Sequence, residues 1–368
     1  MIKGYFVNIL FFKKLQFLIS FLFLVVSFQS YASETEKEHQ TSTKEEKLNA
    51  GKLIIGHIVD AYEWHLADWG DTHLTIPLPV ILIDEGKFHI FMSSKFHHGN
   101  ESYKGYEIAQ GGRYNGKIVR TIEDGTQIRP IDFSFTKNAF GLFISSALML
   151  LIFFNVAKMY RRGNEVPKGM QALLEPVILF VRDEIAIKSI GKKHYRKFLP
   201  YLLTVFFFIL LNNLFGLIPF FPFGANLTGN LAITGVLALF TFIITTFRGN
   251  KNYYRHIFNT LGVPWWLKVP LPLMPIIELV GVFTKPFVLM IRLFANIAAG
   301  HIVILGFVSL IFVFGQASAL QGFIISPLSV ILLVFMNVLE LLVAFIQAYV
   351  FTLLSSIYFG MAVEESHH

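Results

Sequence analysis

Long uncharged apolar stretches fill the second half of the chain, and their lengths are those of membrane spans. Asn138–Ala157 is twenty residues without a charge, about the number a helix needs to cross a hydrocarbon core. From Phe198 to Phe247 there are 50 residues with no Asp, Glu, Lys, Arg or His. That is enough for two spans, with Pro219, Pro222 and Gly224 marking the turn between them. After Leu271 the chain is again apolar to Phe359, with few charges and a Gly/Gln/Ser turn near residues 315–322. Five membrane helices are therefore predicted. Leu273–Phe314 alone is 42 residues, about 63 Å if wholly helical, against a hydrocarbon core of about 30 Å. The last pair, residues 273–314 and 327–362, must break or tilt strongly.

The first third of the chain has a different pattern. Lys13 and Lys14, the apolar run Leu15–Phe28 and Ser30-Tyr31-Ala32 have the order of a signal peptide, basic then hydrophobic then small. Residues 1–32 are accordingly expected to be a signal peptide and 33–50 a polar linker, charged and poor in apolar residues. Residues 51–133 are expected to be an extracytoplasmic β-rich region. Leu53-Ile54-Ile55 and the run Ile76–Ile83 suggest short strands, and Asp-Glu-Gly and Gly-Gly suggest turns. Histidines 57, 65, 73, 89, 97 and 98 fall here. Only His97 and His98 are close neighbours, and adjacent strand residues point to opposite faces, so no metal site is expected. The fold class is an all-α polytopic membrane protein: five membrane helices over residues 134–363 ending in a long tilted helical hairpin, a small β-rich extramembrane N-terminal region, and a cytoplasmic tail, 364–368.

Composition agrees with that class. Of 368 residues 54% are hydrophobic, 15% are charged and 40 are Phe, where a soluble chain would carry about 25% charge. The net charge of +7 does not mark a nucleic-acid binder, because the basic residues sit in short stretches between apolar runs. There is no cysteine, which excludes disulfides, thiol catalysis and Cys-type metal sites. Lys158–Lys197 carries ten Lys or Arg against four Asp or Glu, and the loop after residue 247 holds Arg248, Lys251, Arg255 and Lys268. The connections 222–230 and 315–326 carry no charge. The positive-inside rule then puts the mature N-terminus outside and the C-terminus in the cytoplasm. Within the first basic loop, Met170–Ile187 is expected to lie at the interface, with Glu175, Arg182, Asp183 and Glu184 on a solvated face.

Arg292 is the most costly residue of the membrane region. It stands in Phe287–Gly306, otherwise apolar except for Asn296 and His301, and an Arg at that depth costs from about 2.5 to more than 10 kcal/mol. Snorkelling or a structural ion pair could hold it, but it is far from either end of its run. Glu278, Lys285 and Arg292 follow each other at seven-residue steps, each a turn of about −20°, and so share one helix face. In an antiparallel hairpin facing residues have a constant index sum. His301 with Glu340 gives 641 and Arg292 with Gln347 gives 639, both centred near the 315–322 turn. The two pairs cannot both face squarely in straight helices, because Arg292 to His301 rotates a helix by about 180° and Glu340 to Gln347 by only about −20°. Either the helix distorts near Gly300, or His301 faces Glu340 and Arg292 faces a partner outside the chain; the second is preferred.

These residues resemble a known family. The stretch from Ile277 to His301, IELVGVFTKPFVLMIRLFANIAAGH, is similar to the signature helix of the F-type ATP synthase a subunit. LNNLFGLIP from Leu211 and IQAYVFTLLSSIYFGMA from Ile346 resemble two more of its motifs. The resemblance covers about residues 138–363. It implies a proton-translocating stator subunit of a rotary ATP synthase in the bacterial inner membrane, with no catalytic chemistry and no cofactor of its own. Its implied partners are a ring of c subunits, the b-subunit peripheral stalk, the rest of the complex and the lipid bilayer. By resemblance Arg292 faces the ring carboxylates, with Asn296 and Gln347 beside it. His301, Glu340, Asn212 and Asn213 would line an outer half-channel and Glu278 an inner one, with Lys285 nearby. Many members carry Glu at the position of His301 and His at that of Glu340, so the pair is exchanged here. Residues 34–133 are longer than the family usually has there. A secondary transporter should show two related halves and a receptor a cytoplasmic output domain, and the sequence has neither. Nor is there a Gly-rich nucleotide loop.

Overall fold

The computed structural model describes residues 60–69, 72–122, 125–161, 167–218, 223–258 and 273–364. Leu53-Ile54-Ile55 and the expected signal peptide and linker lie outside the described residues. The N-terminal region is built of short antiparallel strands. Strands β1 (Glu63–Trp69) and β2 (Thr72–Pro77) pair with each other. Strands β3 (Pro79–Asp84) and β4 (Lys87–Met92) form a hairpin, joined on the far side of β3 by β8 (Ile131–Asp132). Strands β5 (Tyr106–Ile108), β6 (Ile118–Thr121) and β7 (Gln127–Ile128) make a third sheet. The apolar run Ile76–Ile83 is divided at Leu78, where Pro77 and Pro79 interrupt backbone pairing. The Asp-Glu-Gly turn is the β3–β4 hairpin, with Glu85 at φ 49° and Gly86 at φ 76°, the left-handed pair that matches strand twist. Val80, Leu82, Phe91, Phe96, Tyr106 and Ile118 form the core of the region.

His97 and His98 are not on a strand. They lie in a short 3-10 segment, Ser93–Gly99, both with left-handed φ. His98 Nδ1 is 3.0 Å from Glu63 and His97 Nε2 is 3.6 Å from Glu101, so the two rings engage separate carboxylates. Among the described residues no group of three His, Asp or Glu is placed to share a metal.

This region is seated on the membrane helices through its own first residues. Ala61 O accepts from Lys137 N at 2.8 Å, and the buried Asp60 carboxylate accepts from Asn138 N at 2.9 Å. Asp60 thus caps the first span, although burial holds its carboxyl above the usual range. Trp64 is buried in the membrane-side core, edge-on to Phe140 at 6.1 Å.

Among the described residues five helices are long and apolar enough to cross a membrane: α1 (Lys137–Arg161), α3 (Tyr195–Gly216), α4 (Leu231–Arg248), α6 (Leu273–Ala317) and α7 (Ala319–Val363). Two shorter helices, α2 (Met170–Phe180) and α5 (Lys251–Phe258), lie between them. The fold is the expected polytopic helical one with a small β-rich N-terminal part.

Residues 170–187 pack one face on the helix bundle and leave Asp183 and Glu184 on the other. A π-helical stretch, Val181–Ile187, continues α2, and Val181, Ile185 and Ala186 are wholly buried in the helix bundle. Ile185 O accepts from Ser356 Oγ at 3.3 Å. The widened π turn lets the segment pack on α3 and α7 while Arg182 and Asp183 bond each other at 2.6 and 2.7 Å. Gly360 of α7 touches the end of this segment so closely that an added Cβ would fall 2.1 Å from Ser189 O.

Helices α6 and α7 are 45 residues each and neither is broken, despite Pro286 and Pro327 inside them. At about 68 Å apiece they fit a core of about 30 Å only by leaning roughly 60° from the normal or by protruding from it. Of the two alternatives the sequence left open, the break is excluded. The hairpin turns at Ser318, where the backbone is extended. Near it Gly322 faces the Gly315 backbone, and a Cβ added at Gly322 would stand 2.8 Å from Gly315 Cα. The far end of α7 meets the α4–α5 turn, where Asn250 donates to Ala362 O at 2.8 Å and to Glu364 O at 2.6 Å. The C-terminus, the end of α2 and the α4–α5 turn therefore share one side.

Candidate functional site

The site lies around the middles of α6 and α7, beside the end of α3. On α6 the residues Leu289, Leu293 and Ile297, four apart, form a buried seam. Arg292 and Asn296 lie off this seam on the exposed side of the helix. On α7 the buried seam is polar as well as apolar: Glu340, Ala344, Gln347, Ala348 and Phe351. Gln347 is therefore turned into the bundle while Arg292 is turned out of it. Among the described residues Arg292 has no hydrogen-bond or ion-pair partner.

His301 and Glu340 do meet. Nδ1 of His301 is 3.5 Å from Oε1 of Glu340, and the Glu340 side chain is 5% exposed. The contact is possible because Gly300 presents no side chain to the carboxylate; a Cβ there would stand 2.8 Å from Oε1. Of the two index pairs, the structure brings His301 and Glu340 together and does not join Arg292 to Gln347.

The LNNLFG turn of α3 supplies the surroundings. A Cβ on Gly216 would be 3.5 Å from His301 Nε2, so the end of α3 lies directly against the imidazole. Asn213 donates to Ala344 O at 3.2 Å and accepts from Thr228 Oγ1 at 2.5 Å. It ties α3, α7 and the α3–α4 connection together. Asn212 donates to Phe208 O at 2.7 Å, but its Oδ1 is buried without a partner among the described residues, as are Asn226 Nδ2 and Glu340 Oε2. Asn212, Ser145 and Gly141 help line a void of about 10 Å³ beside this network, close to the least space that holds one water.

The other predicted residues are elsewhere. Glu278, about 21 Å along α6 from Arg292, is 3.8 Å from His256 of α5. Lys285 lies over the Tyr358 ring at 5.6 Å. Lys285 and Tyr358 line a second void of about 10 Å³ with Thr241, Thr245 and Tyr253. Burial raises the Tyr253 phenol above its ordinary value. Two polar clusters therefore lie on opposite sides of the Arg292 level, offset along the hairpin. Sequence reasoning did not single out Gly216, Asn226, Thr228, Ser145 or Tyr358, and it named Gly300 only as a place where the helix could distort. Asn226 and Thr228 looked like ordinary turn residues, and nothing in sequence spacing marks which glycines face a carboxylate.

Fold and site together define a polytopic membrane protein with a buried imidazole–carboxylate pair and an exposed arginine between two polar clusters. The chain belongs to the ATP synthase A chain family, whose family model matches residues 140–360. A second model, described only as a domain of unknown function, matches residues 53–133. The chain is 42% identical over 250 residues to the ATP synthase subunit a of Chloroherpeton thalassium, covering 66% of this chain and 70% of that one. Against subunit a of Anaeromyxobacter dehalogenans the identity is 40% over 283 residues, 72% of this chain and 68% of the relative. For Myxococcus xanthus it is 42% over 265 residues, 69% and 80%.

Proposed function

We propose that Arg292 faces a ring of c subunits and that the two polar clusters are the lining of two offset half-channels. As a member of its family the chain is a multi-pass, proton-translocating membrane component of ATP synthase, without bond-making chemistry of its own. The observation that carries the finer reading is the contrast between two charged groups on one helix. His301 is paired inside the bundle with Glu340, while Arg292 is turned outward with no partner among the described residues. An arginine is permanently protonated, and in lipid it would be too costly to leave unopposed. A passing ring carboxylate supplies the missing charge.

His301 lies about 13.5 Å along α6 from Arg292 toward the α1 N-terminal side. With Glu340, Asn212, Asn213 and the unsatisfied polar atoms around them, it would line the half-channel on that side, where water can complete the hydrogen bonds. Glu278 and Lys285 would line the other, toward the C-terminus. Asn296 lies one turn from Arg292 on the same side of α6, and Gln347 stands at the same level inside. Arg292 favours ionised ring carboxylates and blocks direct proton passage between the half-channels. Each proton crossing 100 mV releases about 2.3 kcal/mol for rotation. The proposed setting is a bacterial inner membrane, with the mature N-terminus outside, the C-terminus in the cytoplasm and a b-subunit stalk as further partner.

The test is Arg292→Ala in the assembled complex. Arg292 buries little of itself, so the complex should still assemble, while ATP-driven proton pumping is lost and passive leak through the ring appears. Coupled pumping at the parent rate would remove Arg292 from the mechanism.

A further inference from the structure

The β-rich region carries an exposed apolar sheet face, and we infer that this face, Phe88 included, lies on the bilayer surface beside the N-terminus of α1. Side chains directly opposite in neighbouring strands share a face. Ile83 stands opposite Phe88 and Ile131, and Ile81 opposite Ile90. Phe133 N donates to Ile81 O, which puts Phe133 in the same row. Pro79 stands opposite Met92, and Phe135 N donates to Pro79 O. The result is three rows of three residues without a polar side chain. The opposite face, with Val80 and Leu82, is already the core of the region. A half-solvated antiparallel sheet alternates apolar with polar residues; here both faces are apolar. Phe88 is 70% exposed, Ile90 67%, Ile131 48% and Phe133 45%. Apolar surface gathered in this way marks an interaction site.

Continuity with the membrane decides the occupant. The row of Pro79, Met92 and Phe135 ends two residues before Lys137, where the first span begins, so the face grows directly out of the lipid-contacting part of the molecule. The carboxylates at the hairpin turn are taken up by Arg120, Asp84 at 2.9 Å and Glu85 at 2.7 Å. Rows two residues apart are about 7 Å apart, so the Phe88 row is about 14 Å beyond the base row. The headgroup layer is only about 5–7 Å deep on each side. An upright sheet would leave Phe88 in water, and the region must lean over to cover it.

The chain has no cysteine, which makes single-site labelling straightforward. Phe88→Cys, Ile90→Cys and Phe133→Cys, with Gln110→Cys on an exposed turn as control, would each carry a nitroxide in the assembled complex in phospholipid vesicles. Parent-level ATP-driven pumping reports that each labelled complex is intact. The readout is relaxation by oxygen, which partitions into lipid, against a water-soluble nickel chelate. The expected result is an oxygen-to-chelate ratio severalfold higher at 88, 90 and 133 than at 110. Two results overturn the inference: chelate access at Phe88 equal to that at Gln110, or an immobilised label shielded from both reagents, which would mean that another protein covers the face.

Discussion

Replacing Gly300 by Ala tests the His301–Glu340 contact without touching either residue. An ideal methyl at Gly300 stands 2.8 Å from Glu340 Oε1 and 3.1 Å from its Cδ, against ordinary contact of about 3.5 Å, so the carboxylate must retreat by roughly 0.6–0.7 Å. The same oxygen is 3.5 Å from His301 Nδ1, and backing away from α6 takes it beyond ion-pair range. The obstacle is the end of a flexible side chain, so the energetic cost is small. It is offset by the roughly 1 kcal/mol that Ala gains over Gly inside a helix. Assembly should therefore survive. Gly281 and Gly306 lie on the same helix with open space around them, so Ala at either site reproduces the helix effect alone. ATP-driven proton pumping in vesicles should fall severalfold in Gly300→Ala and stay near the parent rate in Gly281→Ala and Gly306→Ala. Equal rates in all three would mean that proton transfer does not depend on where the Glu340 carboxylate stands, and the pair would lose its place in the path.

Further outcomes follow from particular contacts. The exchange His301→Glu with Glu340→His should retain more pumping than either single exchange, since it preserves one imidazole and one carboxylate at the same level; a double variant no better than the worse single one refutes the pairing. Gly360→Ala should lower the amount of assembled protein recovered from membranes, because its methyl would lie 2.1 Å from the Ser189 carbonyl and only separation of two helices relieves it, at about 1–3 kcal/mol or more. Burial and its hydrogen bond to Asp84 push the Tyr106 phenol up to about 12. A folded value above the unfolded one means that its stabilisation is complete below about pH 10 and is lost as pH rises through about 12. Tyrosinate absorbance of the native protein should show a late-titrating group that Tyr106→Phe removes. Mass analysis of membrane-extracted protein should find the mature chain beginning at or near Ser33.

The helical half of the fold was legible because lipid imposes a simple rule: every span must be about 20 residues of almost pure apolarity. Ile76–Ile83 shows where that simplicity stops, since its prolines divide one apolar run into two strands. His97 and His98 show it again, because left-handed backbone places them outside any strand. The π turn at Val181–Ile187 was illegible for a physical reason: charged residues at 182–184 suggested a solvated face, while the widened turn buries their neighbours on two other helices. At the site, the meeting of His301 with Glu340 could be anticipated from hairpin register, because antiparallel pairing conserves the index sum. Register gives level but not azimuth. Arg292 and Gln347 match in level as well as the first pair does, yet one faces out and the other in. What separates them is the seam of Leu289, Leu293 and Ile297, which fixes the rotation of α6 by burying its larger apolar side chains against the bundle. That rotation turns an arginine, costly in lipid, toward whatever stands beside the hairpin. Helix packing within this chain therefore turns its most costly charge outward, without a partner among the described residues.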